Sequence, residues 1–123
     1  MRGAAVVTGE LTTHVLDTTT GKPAAGMRVE LHRLEAGKKI PLVDRITNSN
    51  GRTDEPMLSG DIFLAGHYRL LFHVADYFAA TGSADARKFL DVVPVLFRIE
   101  DASAGYHVPL LVSPWAYSTY RGS

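Results

Sequence analysis

Two of the five histidines, His14 and His107, stand in stretches where side-chain character alternates residue by residue. An imidazole with an unperturbed pKa of roughly 6.5 can take or give a proton near neutral pH. Neutral imidazole is also a common metal ligand, but two without a third histidine or carboxylate at a recognisable spacing make only a weak metal site. The stretch Tyr120-Arg121-Gly122-Ser123 puts an aromatic ring, a fixed cation, a glycine and a hydroxyl in succession, where a predicted strand runs into it. Other chemistries are missing from the sequence. There is no cysteine, hence no disulfide, thiol nucleophile or thiolate metal site. There is also no G-x-S-x-G, no phosphate-binding glycine loop and no pair of carboxylates at catalytic spacing. Read locally, Arg52 after "NSNG" is a cation following a turn, and His32, His67 and His73 are hydrogen-bonded surface residues of strands.

Short alternating runs separated by turn residues are the signature of an all-β chain. They predict strands over 10–17, 27–33, 40–47, 67–74, 92–99, 106–112 and 115–121, and a short one within the ambiguous stretch 52–66. "ADYFAATG" predicts a helix of about two turns, with Asp76 as its N-cap and Gly82 as its stop. Pro94 has no N–H for a ladder, so its strand belongs at an edge or carries a bulge. Seven or eight strands in a chain of this size imply a two-sheet sandwich with one short helix. Residues 1–9 are expected to be a short extension and 10–123 the domain.

Alternation sorts each strand into two faces. Leu11, Thr13 and Val15 suit a core, as do Val108, Leu110 and Val112, and Trp115, Tyr117 and Thr119. The opposite faces are chemically mixed. If these three strands share a sheet, His14, His107, Ser118 and Tyr120 form one patch, too polar for a sandwich core and too apolar for plain exposure. Such a patch suits an interface or a ligand site.

Composition limits what that ligand is. Lys+Arg and Asp+Glu each number 13, so no charge excess invites nucleic acid or an anionic membrane surface. No apolar run approaches the ~20 residues of a membrane span, and the N-terminal residues lack a signal-peptide apolar region. A cytoplasmic location is the resulting expectation.

Four segments together carry a family resemblance: "LTTHVLDTTTGKPAAG" (11–26), "NGRTD" (50–54), "YFAATG" (77–82) and "YHVPLLVSPWAYSTYRGS" (106–123). The chain resembles the transthyretin-related 5-hydroxyisourate hydrolases, and the Tyr-Arg-Gly-Ser stretch separates those enzymes from the hormone-carrying transthyretins. The resemblance implies a sandwich of two four-stranded sheets, assembled as a homotetramer (a dimer of dimers) with active sites in the channel between dimers. It implies hydrolysis of 5-hydroxyisourate to 2-oxo-4-hydroxy-4-carboxy-5-ureidoimidazoline, without a cofactor, in urate breakdown. His14, Arg52 and His107 fall on the family's catalytic residues, and Tyr120 and Ser123, with Ser118 on the same face, on substrate binding. Which histidine is the base stays open. The alternative is a transthyretin-like carrier without catalysis. The chain departs from the family over 83–97, where Phe89-Leu90-Asp91 replaces an aromatic–proline pair and proline comes later, at Pro94.

Overall fold

The computed structural model describes residues 9–122. Its strands are β1 (Glu10–Asp17), β2 (Lys22–Pro23), β3 (Arg28–Glu35), β4 (Lys38–Ile46), β5 (Leu58–Ser59), β6 (Gly66–His73), β7 (Val92–Ile99), β8 (Tyr106–Val112) and β9 (Tyr117–Thr119). The helix α1 covers Val74–Ala80, and a single 3-10 turn covers Gly60–Ile62. One sheet runs β2-β1-β8-β9, with β5 also paired to β1, and the other runs β4-β3-β6-β7. All pairs are antiparallel except β1 with β8. Two of the nine strands are dipeptides, so the ambiguous stretch 52–66 contributes only β5 and the 3-10 turn.

The facing sides of the two sheets form the core. Leu11, Val15, Val108, Leu110 and Val112 from one meet Val29, Leu31, Tyr68, Leu70 and Phe72 from the other, all buried. Burying each such side chain contributes about 1.5–3 kcal/mol, which fixes the register: a one-residue slip would turn every one of them to solvent. Thr13 belongs to this face, and its hydroxyl is satisfied by donating to the Val108 carbonyl at 2.7 Å. The β3–β4 hairpin is tighter than "EAGKK" suggests, because Ala36 and Gly37 both take positive φ (51° and 75°) and leave a two-residue turn.

Two expectations fail for physical reasons. Asp76 is not the N-cap: α1 begins at Val74 straight out of β6, and His73 in the cap position makes no side-chain cap bond. Val74 and Ala75 are buried, so packing starts the helix three residues earlier than an Asp76 cap implies and leaves Asp76 in the first turn. There the helix dipole favours a carboxylate, and Asp76 pairs with Arg87 at 2.9 Å. Gly82 ends the helix as expected, with φ of 85°.

The second failure is the core face assigned to Trp115, Tyr117 and Thr119, all of which are exposed (Trp115 at 51%). β9 and β7 are the free edges on the same side of the sandwich. The sheets do not close there, and a groove of about 230 Å³ remains between Val95 and Phe97 on one side and Val108 and Thr119 on the other. Trp115 stacks instead on Phe89 at the surface, with ring centroids 6.2 Å apart. Pro94 lies in β7, one of these edges, where a missing N–H is tolerated.

Candidate active site

The outer face of β1, β8 and β9 brings the chemistry together. Thr12 pairs with His107 and His14 with Pro109 in the parallel β1–β8 ladder. His107 pairs in turn with Gly122, and His14 with Arg52, through isolated antiparallel bridges. Residues at paired positions share a face, so Arg52, His14 and Pro109 form one row across the sheet, and Thr12, His107 and Gly122 form the next. The two histidines sit one strand across and two residues along from each other, which puts their Cα atoms about 8 Å apart. Both are half-buried, while Arg52 is exposed.

Arg52 reaches this row because of Gly51. The Gly51 carbonyl accepts from the Val15 N–H at 2.8 Å, and Gly51 has φ of 73°. A Cβ there would lie 2.4 Å from the Val15 carbonyl oxygen, so only glycine lets the loop lie flat on β1. The "NSNG" turn is therefore more than a loop signal. It docks a guanidinium beside His14, and a cavity of about 160 Å³ opens next to it between Thr12 and Asp54.

The charge pattern follows from that placement. The His14 pKa is lowered by burial and then by the Arg52 guanidinium, against a hydrogen bond from its ring to the Asn50 carbonyl. The His107 pKa is lowered by burial, by Arg52 and by His14, against a hydrogen bond to the Thr12 backbone. Both rings are therefore neutral at neutral pH. Two neutral imidazoles and one permanent cation form a face that can accept a proton, return one and stabilise negative charge.

Pro109 shapes the rest. It has no N–H to give β9, and the named strand stops at Thr119. Thr119 Oγ1 donates to the Pro109 carbonyl at 2.7 Å, and backbone pairing resumes where the Gly122 N–H donates to the His107 carbonyl at 2.7 Å. Tyr120 lies between, opposite Pro109 by the same register and 59% exposed. Gly122 is needed for space, not for a turn: a Cβ would come within 2.9 Å of His107 Cδ2. Arg121 faces the other way, over the Tyr106 ring at 4.3 Å, and its Nη2 donates to the Gly105 carbonyl at 2.9 Å.

Ser118 pairs with Leu111, which pairs with Leu16, so it lies in the row beyond His14, two rows from His107. Ser123 falls outside the described residues. His32 and His73 both turn to Glu30, at 3.5 and 2.6 Å, on the outer face of the other sheet. Among the described residues no group of three or more His, Cys, Asp or Glu could hold a metal, and no helix is long and apolar enough to cross a membrane. Thr12, whose hydroxyl meets the His107 ring at 2.8 Å, is the site group that alternation did not single out. Thr12 shares the His14 face by parity, but its pairing with His107 depends on the β1–β8 register.

A two-sheet sandwich with this strand order and a His–Arg–His face is of the transthyretin type. The chain belongs to the HIUase/Transthyretin family, whose model matches residues 11–122. It is 53% identical to the 5-hydroxyisourate hydrolase of Deinococcus radiodurans over 113 residues, 92% of this chain and 95% of that one. Among solved structures, the Klebsiella pneumoniae 5-hydroxyisourate hydrolase is 34% identical, with a TM-score of 0.75, over 94% of this chain and all of that one. Sea bream transthyretin in complex with thyroxine is 26% identical, with a TM-score of 0.84, over 92% of this chain and 94% of that one. An (S)-allantoin synthase is 44% identical, with a TM-score of 0.88, over 96% of this chain, which spans 45% of the length of that protein.

Proposed function

We propose that the chain hydrolyses 5-hydroxyisourate to 2-oxo-4-hydroxy-4-carboxy-5-ureidoimidazoline. The observation that carries this reading is the meeting of His14, Arg52 and His107 on one sheet face. It is supported by identity of about half with a relative named for that reaction. Water adds to a ring carbonyl of the substrate, a carbon–nitrogen bond of the ring breaks, and the released nitrogen takes a proton. One neutral imidazole accepts the proton from water, and the pair returns one to the leaving nitrogen, help worth about 10²–10⁴-fold in rate. Arg52 grips the planar ureide oxygens and stabilises the oxyanion. Tyr120 stacks on the heterocycle, and Ser118 and Ser123 supply hydroxyls to the substrate.

The site works in a homotetramer, a dimer of dimers in which this face of one dimer is covered by another. Family membership supports that assembly, as do the half-buried, chemically mixed face and the free edges of β7 and β9. A second reading, a small-molecule carrier, draws on the likeness to the thyroxine complex of sea bream transthyretin. One experiment separates them. 5-Hydroxyisourate is generated from urate with urate oxidase, and its ultraviolet absorbance is followed with and without the protein, while thyroxine binding is titrated in parallel. Decay faster than the spontaneous rate supports the hydrolase. Unchanged decay with tight thyroxine binding favours the carrier.

A further inference from the structure

Thr12 stands beside His107 in the β1–β8 ladder, and its Oγ1 lies 2.8 Å from His107 Nδ1. A hydroxyl can donate to an imidazole nitrogen or accept from it. For the other nitrogen, Nε2, to offer its lone pair to water as the proposed hydrolysis requires, Nδ1 must carry the hydrogen and Thr12 Oγ1 accept it. The opposite side of the ring is held by the backbone of Gly122, which leaves no room for a Cβ. Pinned between the two strands, the imidazole has its Nε2 lone pair directed away from Thr12.

We propose that Thr12 is a positioning residue that holds His107 as the Nδ1–H tautomer, which makes Nε2 the atom that takes the proton from water. The assignment rests on the hydrolase function proposed above and settles which nitrogen of His107 does the work. It follows the general rule that the partner of one imidazole nitrogen decides what the other can do. Thr12 is half-buried on the outer face and adds nothing to the core, which Leu11, Thr13 and Val15 build. Its hydroxyl can therefore be removed without opening a cavity.

The test compares Thr12→Val, isosteric and without the hydroxyl, with Thr12→Ser, which keeps it. Losing one neutral hydrogen bond to the ring lowers kcat about five- to tenfold in Thr12→Val, with KM little changed and the acid limb of the pH–rate profile displaced. Thr12→Ser restores both. Nitrogen-15 NMR of the imidazoles near neutral pH reads the tautomer without any turnover: Nδ1–H for His107 in the native chain, a mixture in Thr12→Val. An Nε2–H tautomer in the native chain overturns the assignment. So does a Thr12→Val protein that melts lower but keeps its acid limb and its tautomer. If the native protein fails to accelerate 5-hydroxyisourate decay, the hydrolase function fails on its own, and the NMR spectrum still decides the role of Thr12.

Discussion

Gly122→Ala should damage turnover far more than stability. An added Cβ would lie 2.9 Å from His107 Cδ2, 3.3 Å from its Cβ and 3.4 Å from its Cγ. Carbon atoms in good contact sit about 3.5–4.0 Å apart, so the ring has to retreat by about 0.5–1 Å. It cannot do so freely, because Nδ1 is tied to Thr12 at 2.8 Å and the Gly122 N–H holds the His107 carbonyl at 2.7 Å. Catalytic groups work within about 0.5 Å of their productive position, and a displacement of about 1 Å costs on the order of 10²-fold. The expected loss in kcat is therefore about 10–100-fold. The melting temperature should hardly move, since Gly122 lies beyond β9, away from the core, and alanine lowers chain entropy in the unfolded state. Gly105→Ala is the control, with nothing within 4 Å of its added Cβ, and should behave as the native protein. Gly122→Ala with native kcat, or with loss of fold as the main effect, would refute the reasoning.

Other perturbations have defined outcomes. The pKa values of His14 and His107 are lowered in the folded state, so below about pH 6.5 the unfolded chain binds protons that the folded one does not. The histidines' contribution to stability then falls as pH drops from there, and the carboxylates with lowered pKa values, Glu30 and Asp44 among them, extend the loss to lower pH. Over the histidine range kcat/KM falls as well; urea melts and a pH–rate profile check both. Arg52→Gln removes the second-largest cause of both shifts, so the acid limb should move to higher pH while kcat falls. Tyr77→Phe deletes the hydroxyl that donates to buried Asp17 Oδ2 at 2.8 Å, leaving a carboxylate short of a donor at a cost of about 1–3 kcal/mol in a urea melt. The Tyr77 hydroxyl itself, raised to about 12 by burial and then by Asp17, should not titrate below pH 11 in an absorbance scan. Deleting residues 120–123 should abolish hydrolysis and leave a folded protein by circular dichroism, because β9 ends at Thr119.

The sandwich was legible because its main strands alternate cleanly. β1, β7 and β8 match the predicted ranges residue for residue, and Leu11, Val15, Leu110 and Val112 face the core as parity requires. Parity has no knowledge of what lies opposite. It assigned Trp115 and Tyr117 to a core that the splayed edges of β7 and β9 leave open. Capping preference favoured Asp76, but burial of Val74 and Ala75 decided where the helix starts. At the site, alternation alone placed His14, His107, Ser118 and Tyr120 on one face. Arg52 came only through family resemblance, since its approach depends on Gly51 lying against Val15. Thr12 was hidden because a hydrogen bond across 95 residues follows from strand order and register, which single-strand patterns do not contain.

The central claim is that His14 and His107, on adjacent strands beside Arg52, carry out the hydrolysis. Its most direct test is the decay of freshly generated 5-hydroxyisourate with the native chain, His14→Ala and His107→Ala at equal concentration, each first shown to be folded and in the same assembly. The account predicts rapid decay with the native protein and a loss of about 10²–10⁴-fold in each variant. Near-native decay in both variants would contradict it.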